Sequence, residues 1–347
     1  MSDIDIRKAG RAGRITLNRP DAMNALTYDM VMGIDAALKD WAEDAALDLL
    51  IIDGAPGRAF CAGGDIAEMY ATGTAGDFAY GRRFWRDEYR MNARLFDFPK
   101  PVVTFLHGFT MGGGVGVGCH ASHRIVGETS QIAMPECGIG LVPDVGGSLL
   151  LAQAPGRLGE YLGTTATRMG PGDALLAGFA DYYVSEDRWP ALTAALEDTG
   201  DWSHVDAAAE VPPGSALAAQ QGEIDHHFGG ETLLDIVNSL THGDGEFATK
   251  ALKALGRNSP LSMAVAVEMI HRLRGSEDIR KALDLEYRLT ARSMENGDFL
   301  EGIRAAIIDK DRAPKWRHAH ASDVSAAEVA RMLQPMSEDA LTWEDAA

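Results

Sequence analysis

Pro101-Val102-Val103-Thr104-Phe105-Leu106-His107-Gly108-Phe109-Thr110-Met111-Gly112-Gly113-Gly114-Val115-Gly116-Val117-Gly118 is the stretch on which the fold turns. Its first six residues form a short apolar run of the kind expected for a buried strand. The chain then enters a run of glycines that leads to Cys119 and His120. Three consecutive glycines where a strand gives way to a helix cost roughly 0.5–1 kcal/mol each relative to alanine in a regular element, so a compensating use is expected. One use is close packing of the helix. The other is an oxyanion hole, in which backbone N–H groups meet the negative oxygen that develops on an attacked or enolised carbonyl.

Upstream, the same strand-to-helix rhythm is already established. Arg14-Ile15-Thr16-Leu17 reads as a strand, closed by the turn-rich Asn18-Arg19-Pro20-Asp21. From Thr27, a suitable N-cap, apolar residues recur at Met30, Ile34, Leu38 and Trp41, the spacing of a helix with one buried face. Leu49-Leu50-Ile51-Ile52, between Asp48 and Asp53, reads as a buried parallel strand. After the loop 54–64 a helical stretch begins at Asp65, and Arg124-Ile125-Val126-Gly127 is again strand-like. Repeated β-then-α units argue for an α/β core.

Beyond about residue 150 helical patterns dominate, with Ala and Leu rising through 192–196 and 252–273. Pro190, Gly200, Pro212, Pro213 and Gly214 interrupt the periodicity between 184 and 222, marking a linker or an insertion. From Ala319 the chain is polar and acidic, a frayed tail or a short helix. The division expected from these patterns is a core over 1–190, carrying the chemistry, and a mainly helical region over 191–347 that completes the fold.

Two further segments carry candidate chemistry. In Ala59-Phe60-Cys61-Ala62-Gly63-Gly64-Asp65 small residues turn the chain sharply before a helix, which can aim N–H groups into a cleft or can serve only as a tight turn. Ala133-Met134-Pro135-Glu136-Cys137-Gly138-Ile139-Gly140-Leu141-Val142-Pro143-Asp144-Val145-Gly146-Gly147 places Glu136 and Asp144 in an apolar loop rich in glycine and proline. Burial there would raise a carboxyl pKa and suit it to acid–base or nucleophilic work. Either acid taken singly could instead cap a helix or close the loop.

Composition narrows the class of ligand less than the motifs do. The 347 residues carry 32 Lys and Arg against 51 Asp and Glu, a formal net charge of −19. Such a surface repels nucleic acid and anionic membranes. No apolar run approaches the roughly 18–20 residues that cross a bilayer, and Met1-Ser2-Asp3-Ile4-Asp5 lacks the layout of a signal peptide. A cytoplasmic location is therefore expected, with Cys61, Cys119 and Cys137 as reduced, packed thiols.

Taken in order and spacing, the three segments resemble the crotonase (enoyl-CoA hydratase/isomerase) superfamily, together with Leu17-Asn18-Arg19-Pro20, Asn24-Ala25-Leu26 and Leu175–Val184. The resemblance implies an α/β fold, a spiral of ββα repeats with a helical C-terminal region. It also implies that Gly64 and Gly113 supply the oxyanion-hole amides. Enoyl-CoA hydratases pair two glutamates, one of them two residues after the glycine triplet. Here that position is Gly116, while the second is kept as Glu136 and Asp144 is added.

This departure resembles the 3-hydroxyisobutyryl-CoA hydrolase branch, which pairs Pro-Glu with Pro-Asp-Val-Gly-Gly. Further stretches carry the likeness over nearly the whole chain: Phe84-Trp85-Arg86-Asp87-Glu88-Tyr89, Leu285-Glu286-Tyr287-Arg288-Leu289, 298–305, Asp309-Lys310-Asp311 and Pro314-Lys315-Trp316. The implied reaction is thioester hydrolysis in valine degradation, releasing free coenzyme A and a 3-hydroxy acid. Glu136 and Asp144 would be the acids, and Glu88 would shape the pocket. The implied substrate contacts are Glu88, Gly113, Glu136, Asp144, Ala62 and Asp65, with Arg58 matching a lysine that contacts coenzyme A phosphate in hydratases. The substrate would be a small acyl-CoA, coenzyme A being part of it, with no metal or redox cofactor and room for a homo-oligomer. An enoyl-CoA hydratase or isomerase and a non-catalytic acyl-CoA-binding protein are the open alternatives.

Overall fold

A computed structural model describes residues 2–337 and 339–343 of the chain. The polypeptide forms two compact units, one from residues 1–65, 87–133 and 168–218, the other from 66–86, 134–167 and 219–347.

Among the described residues, the first unit contains all nine strands. These are β1 (Ile4–Ala9), β2 (Ala12–Leu17), β3 (Leu49–Gly54), β4 (Ala59–Cys61), β5 (Val102–Phe105), β6 (Phe109–Met111), β7 (His123–Val126), β8 (Gln131–Ala133) and β9 (Tyr182–Tyr183). They form a six-stranded sheet in the order β1-β2-β3-β5-β7-β9 and a three-stranded sheet β4-β6-β8. Only β1 and β2 pair antiparallel; the others run parallel, as expected when helices cross between successive strands.

Each face of the larger sheet is dictated by side-chain alternation. The helix Tyr28–Ala42 opens at Thr27, whose hydroxyl accepts the Met30 N–H at 3.2 Å, and it buries Met30, Ile34, Leu38 and Trp41. Large side chains buried in this way contribute roughly 1.5–3 kcal/mol each. Gly13 lies in register with Leu50, and a Cβ there would come within 2.5 Å of the Trp41 ring. The residues of opposite parity, Ala12, Leu49, Ile51, Val103 and Phe105, pack with Leu192, Leu196, Val205 and Ala208. Those come from the helices Trp189–Thr199 and Ser203–Ala208, so the residues about Pro190 and Gly200 are part of this unit's core layer. All three cysteines are free and buried. Burial pushes the Cys61 and Cys119 thiols up to about 12.

The second unit is helical among its described residues. The apolar pattern over 252–273 resolves into Glu246–Leu255 and Pro260–Leu273, divided at Gly256, with Pro260 at the first helical position and Ser259 as N-cap. Ile279–Asn296 follows, and the acidic stretch after Ala319 includes the short helix Ala326–Met332, opened by a capping box on Ser325. Among the described residues, no helix is long and apolar enough to cross a membrane.

Candidate active site

In the first unit the glycine-rich turn after β4 and the triplet after β6 meet. A parallel bridge joins Leu26 to Gly64, using the Gly63 carbonyl at 2.9 Å and the Asp65 N–H at 2.8 Å. In a parallel bridge the central residue's own amide points away from its partner, so the Gly64 N–H is left for another acceptor. Gly113 is the first residue of the helix Gly113–Gly118, whose N-cap is Gly112; its N–H has no acceptor within the helix. A Cβ on Gly113 would lie 3.4 Å from the Gly64 nitrogen and 3.1 Å from Glu88 Oε1.

The triplet divides its work. Gly112 adopts φ 50°, ψ −122°, a conformation that only glycine reaches without strain. Gly114 packs so closely on β4 that a Cβ would meet the Cys61 carbonyl oxygen at 2.4 Å. Gly113 alone is placed beside the second amide. Both uses anticipated for the glycines, close packing and an amide cradle, are thus present on different residues. Glu88, on the helix Ala79–Phe96, is buried next to the cradle.

The segments around Arg19 and Asn24 hold the first turn in place. Asn24, fully buried at φ 55°, donates its side-chain amide to the Ala59 carbonyl at 2.9 Å and accepts the Arg19 N–H at 2.8 Å. Arg19 donates to the Ala25 carbonyl at 2.7 Å and to Asp65 at 3.0 Å. Ala62 donates its N–H to Met23 at 3.0 Å. Asp65 and Ala62 therefore border the amide cradle. Arg58 stands at the other end of β4, where with Arg14, Asp53, His107, Trp189 and Glu197 it lines a separate cavity of about 900 Å³.

The second unit holds the acids. After Pro135 the chain forms the 3-10 turn Glu136–Ile139, and Glu136 is 4% exposed with no hydrogen-bond partner for Oε2 among the described residues. Burial, reinforced by the charge of Asp144 and then of Glu286, raises its pKa well above the ordinary carboxyl value. Asp144 is 5% exposed, and its carbonyl accepts the Gly147 N–H at 2.7 Å across a turn through Val145 (φ 53°) and Gly146 (φ 80°). A carboxyl whose pKa is raised in this way is suited to proton transfer.

A sequence model of the enoyl-CoA hydratase/isomerase family matches residues 12–333. The chain belongs to the enoyl-CoA hydratase/isomerase family. Within that family it is similar to mitochondrial 3-hydroxyisobutyryl-CoA hydrolases. The zebrafish (Danio rerio) protein is 37% identical over 97% of this chain and 91% of its own, and the Homo sapiens protein 35% identical over 94% and 87%. Two solved structures superpose with a TM-score of 0.94. One is titled an enoyl-CoA hydratase from Rhodobacter sphaeroides 2.4.1, 58% identical over 98% of this chain and 100% of its own. The other is titled a carnitinyl-CoA dehydratase from Mycobacterium thermoresistibile, 39% identical over 99% of each. The α/β crotonase fold expected from the motifs is thereby established. The cytoplasmic location expected from the opening residues is corrected: the curated relatives are mitochondrial by name, and residues 1–5 are no guide to the compartment.

One member of the acid cluster was read in the sequence only as part of the resemblance, without a place in the site. Glu286, fully buried on the helix Ile279–Asn296, accepts the Gly146 N–H at 2.9 Å, the Ser148 N–H at 3.2 Å and the Ser148 hydroxyl. Burial pushes its pKa up to about 8; those hydrogen bonds pull against the rise and Asp144 adds to it. The signal available in the sequence was an acid on the same helix face as Ile279, Ala282, Leu283 and Leu289.

Proposed function

We propose that this family member is a 3-hydroxyisobutyryl-CoA hydrolase, releasing coenzyme A and a 3-hydroxy acid. The names of its full-length relatives support that reading. The observation that carries it is the acid pair: a buried Glu136 with a raised pKa next to Asp144, where residue 116, the place of the hydratases' other glutamate, is glycine.

In the proposed reaction the N–H groups of Gly64 and Gly113 receive the carbonyl oxygen as it becomes negative, an effect worth about 10²–10³ in rate per donor. Glu136 takes one of two parts. As nucleophile, its carboxylate adds to the thioester carbon, the C–S bond breaks, the thiolate takes a proton, and water then cleaves the mixed anhydride. As general base, it removes the proton from the water that attacks the same carbon. Asp144 binds the substrate's 3-hydroxyl or delivers the proton to the departing sulfur, and Glu88 shapes the pocket. Neither part calls for a metal or a redox cofactor.

Single-turnover hydrolysis in ¹⁸O-water separates the two parts. One labelled oxygen in the peptide that contains Glu136, or an acyl group trapped from it by hydroxylamine, marks attack by the carboxylate; label in the acid product with neither of these marks general base catalysis. A second reading, addition of water to an enoyl thioester, is favoured by the hydratase title of the Rhodobacter sphaeroides structure. Thiol release from a 3-hydroxyacyl-CoA, with crotonyl-CoA keeping its conjugated absorbance, decides for the hydrolase.

A further inference from the structure

We infer that Glu286 is a positioning residue for the acid pair: it ties down the turn 144–148 and thereby sets the carboxyl of Asp144 near Glu136. The inference rests on the hydrolytic reading above and extends it to a residue that would act through Asp144.

The argument begins with the turn. Val145 and Gly146 both have positive φ, 53° and 80°, and a β-branched residue enters that region only when its surroundings impose it. Gly146 is also the N-cap of the helix Gly147–Gln153. A helix start leaves N–H groups that need acceptors, ordinarily met by a Ser, Thr, Asp or Asn side chain at the N-cap. Glycine is favoured at φ 80° and has no side chain to offer. The acceptor is supplied from 140 residues away in sequence: both Glu286 oxygens are used, Oε2 on the Gly146 N–H and Oε1 on Ser148.

An ordinary cap would not need this residue. Burying a carboxyl beside others is unfavourable, and here Glu286 acts electrostatically on both Asp144 and Glu136. The ionisable groups that act on one another here include Glu136, Asp144 and Cys137, whose thiol is raised by burial and by Glu136. The N–H groups held by Glu286 begin two residues after Asp144, and the turn they close includes the bond from the Gly147 N–H to the Asp144 carbonyl. Loosening that clamp would let Asp144 swing while leaving Glu136, held on its own 3-10 turn, where it is.

The test is a double-variant cycle in the full chain, following thiol release from a 3-hydroxyacyl-CoA. Glu286→Gln removes the charge and turns an amide N–H₂ toward one of the donors; it is expected to lower kcat about 10–100-fold with KM changed less than about threefold. Ser148→Ala removes only the hydroxyl donor, for an expected loss of about 2–5-fold. In an Asp144→Asn background each should change kcat by less than about twofold, because the residue through which Glu286 acts is already lost. Circular dichroism and thermal melting verify the fold, and if Glu286→Gln does not fold, the Ser148→Ala cycle decides. Full kcat in a folded Glu286→Gln, or losses that multiply with that of Asp144→Asn, would overturn the positioning role. Absence of thiol release from the parent protein would instead overturn the hydrolytic reading itself, and thiol release persisting in Glu136→Gln would overturn the role given there to Glu136.

Discussion

The amide nitrogen of Gly64 lies 3.4 Å from the point where a side chain on Gly113 would begin. The two residues are far apart in sequence and are brought together by the pairing of β4 with β6. Gly113→Pro removes the N–H, and turnover is expected to fall about 10²–10³-fold. Gly113→Ala keeps the donor but crowds Glu88, and should lose less. Steady-state thiol release on both variants, each shown to be folded, checks the order; equal activity in the proline variant rules out the donor role.

Hydrolysis and hydration are expected to separate cleanly. With Gly116 where hydratases carry glutamate, crotonyl-CoA should keep its conjugated absorbance while a saturated or 3-hydroxylated thioester releases thiol. Loss of that absorbance at a rate comparable with thiol release would reverse the assignment.

Glu136 and Asp144 should fail in different ways. Glu136→Gln is expected to abolish thiol release from every acyl-CoA. Asp144→Asn should lower kcat/KM for 3-hydroxyacyl substrates far more than for analogues that lack the hydroxyl, since a missing hydrogen bond counts only where its partner exists. Equal losses on both substrates leave proton transfer as its task.

The raised pKa of Glu136 has a stability counterpart. A carboxyl whose folded pKa is raised binds protons more tightly in the folded than in the unfolded chain, so stability is highest below the unfolded value near 4.5 and declines as pH rises toward the folded value. Replacing it by a neutral amide should remove that decline. Glu136→Gln is expected to melt about 2–4 °C above the parent protein near pH 8, with the difference shrinking toward pH 5. Melting curves across pH test this, and a constant difference would contradict it.

The strand–helix–strand opening was legible because it is local: Thr27 capping the helix, Leu49–Ile52 as a continuous apolar run, and Pro260 beginning a helix all act within a few residues. β1 was not read, since its half-exposed alternation of Ile4 and Ile6 with charged residues becomes a strand only through pairing with β2. Glu136 and Asp144 stood out as acids in apolar company. Glu286 did not, because its meaning lies in donors that only tertiary folding delivers. The stretch about Pro190 and Gly200 read as a linker or an insertion for the same reason: Leu192 and Leu196 find their apolar partners on β3 and β5, not nearby in sequence.

Thiol chemistry on this protein should be asymmetric in a useful way. Cys61, Cys119 and Cys137 are sealed from solvent and held in the unreactive thiol form. The native protein should consequently be silent toward aromatic disulfide reagents and show three reacting sulfurs only once denatured. Colour developed during turnover then reports the freed coenzyme alone, and inactivation by such a reagent would signal opening of the fold rather than damage to a catalytic group.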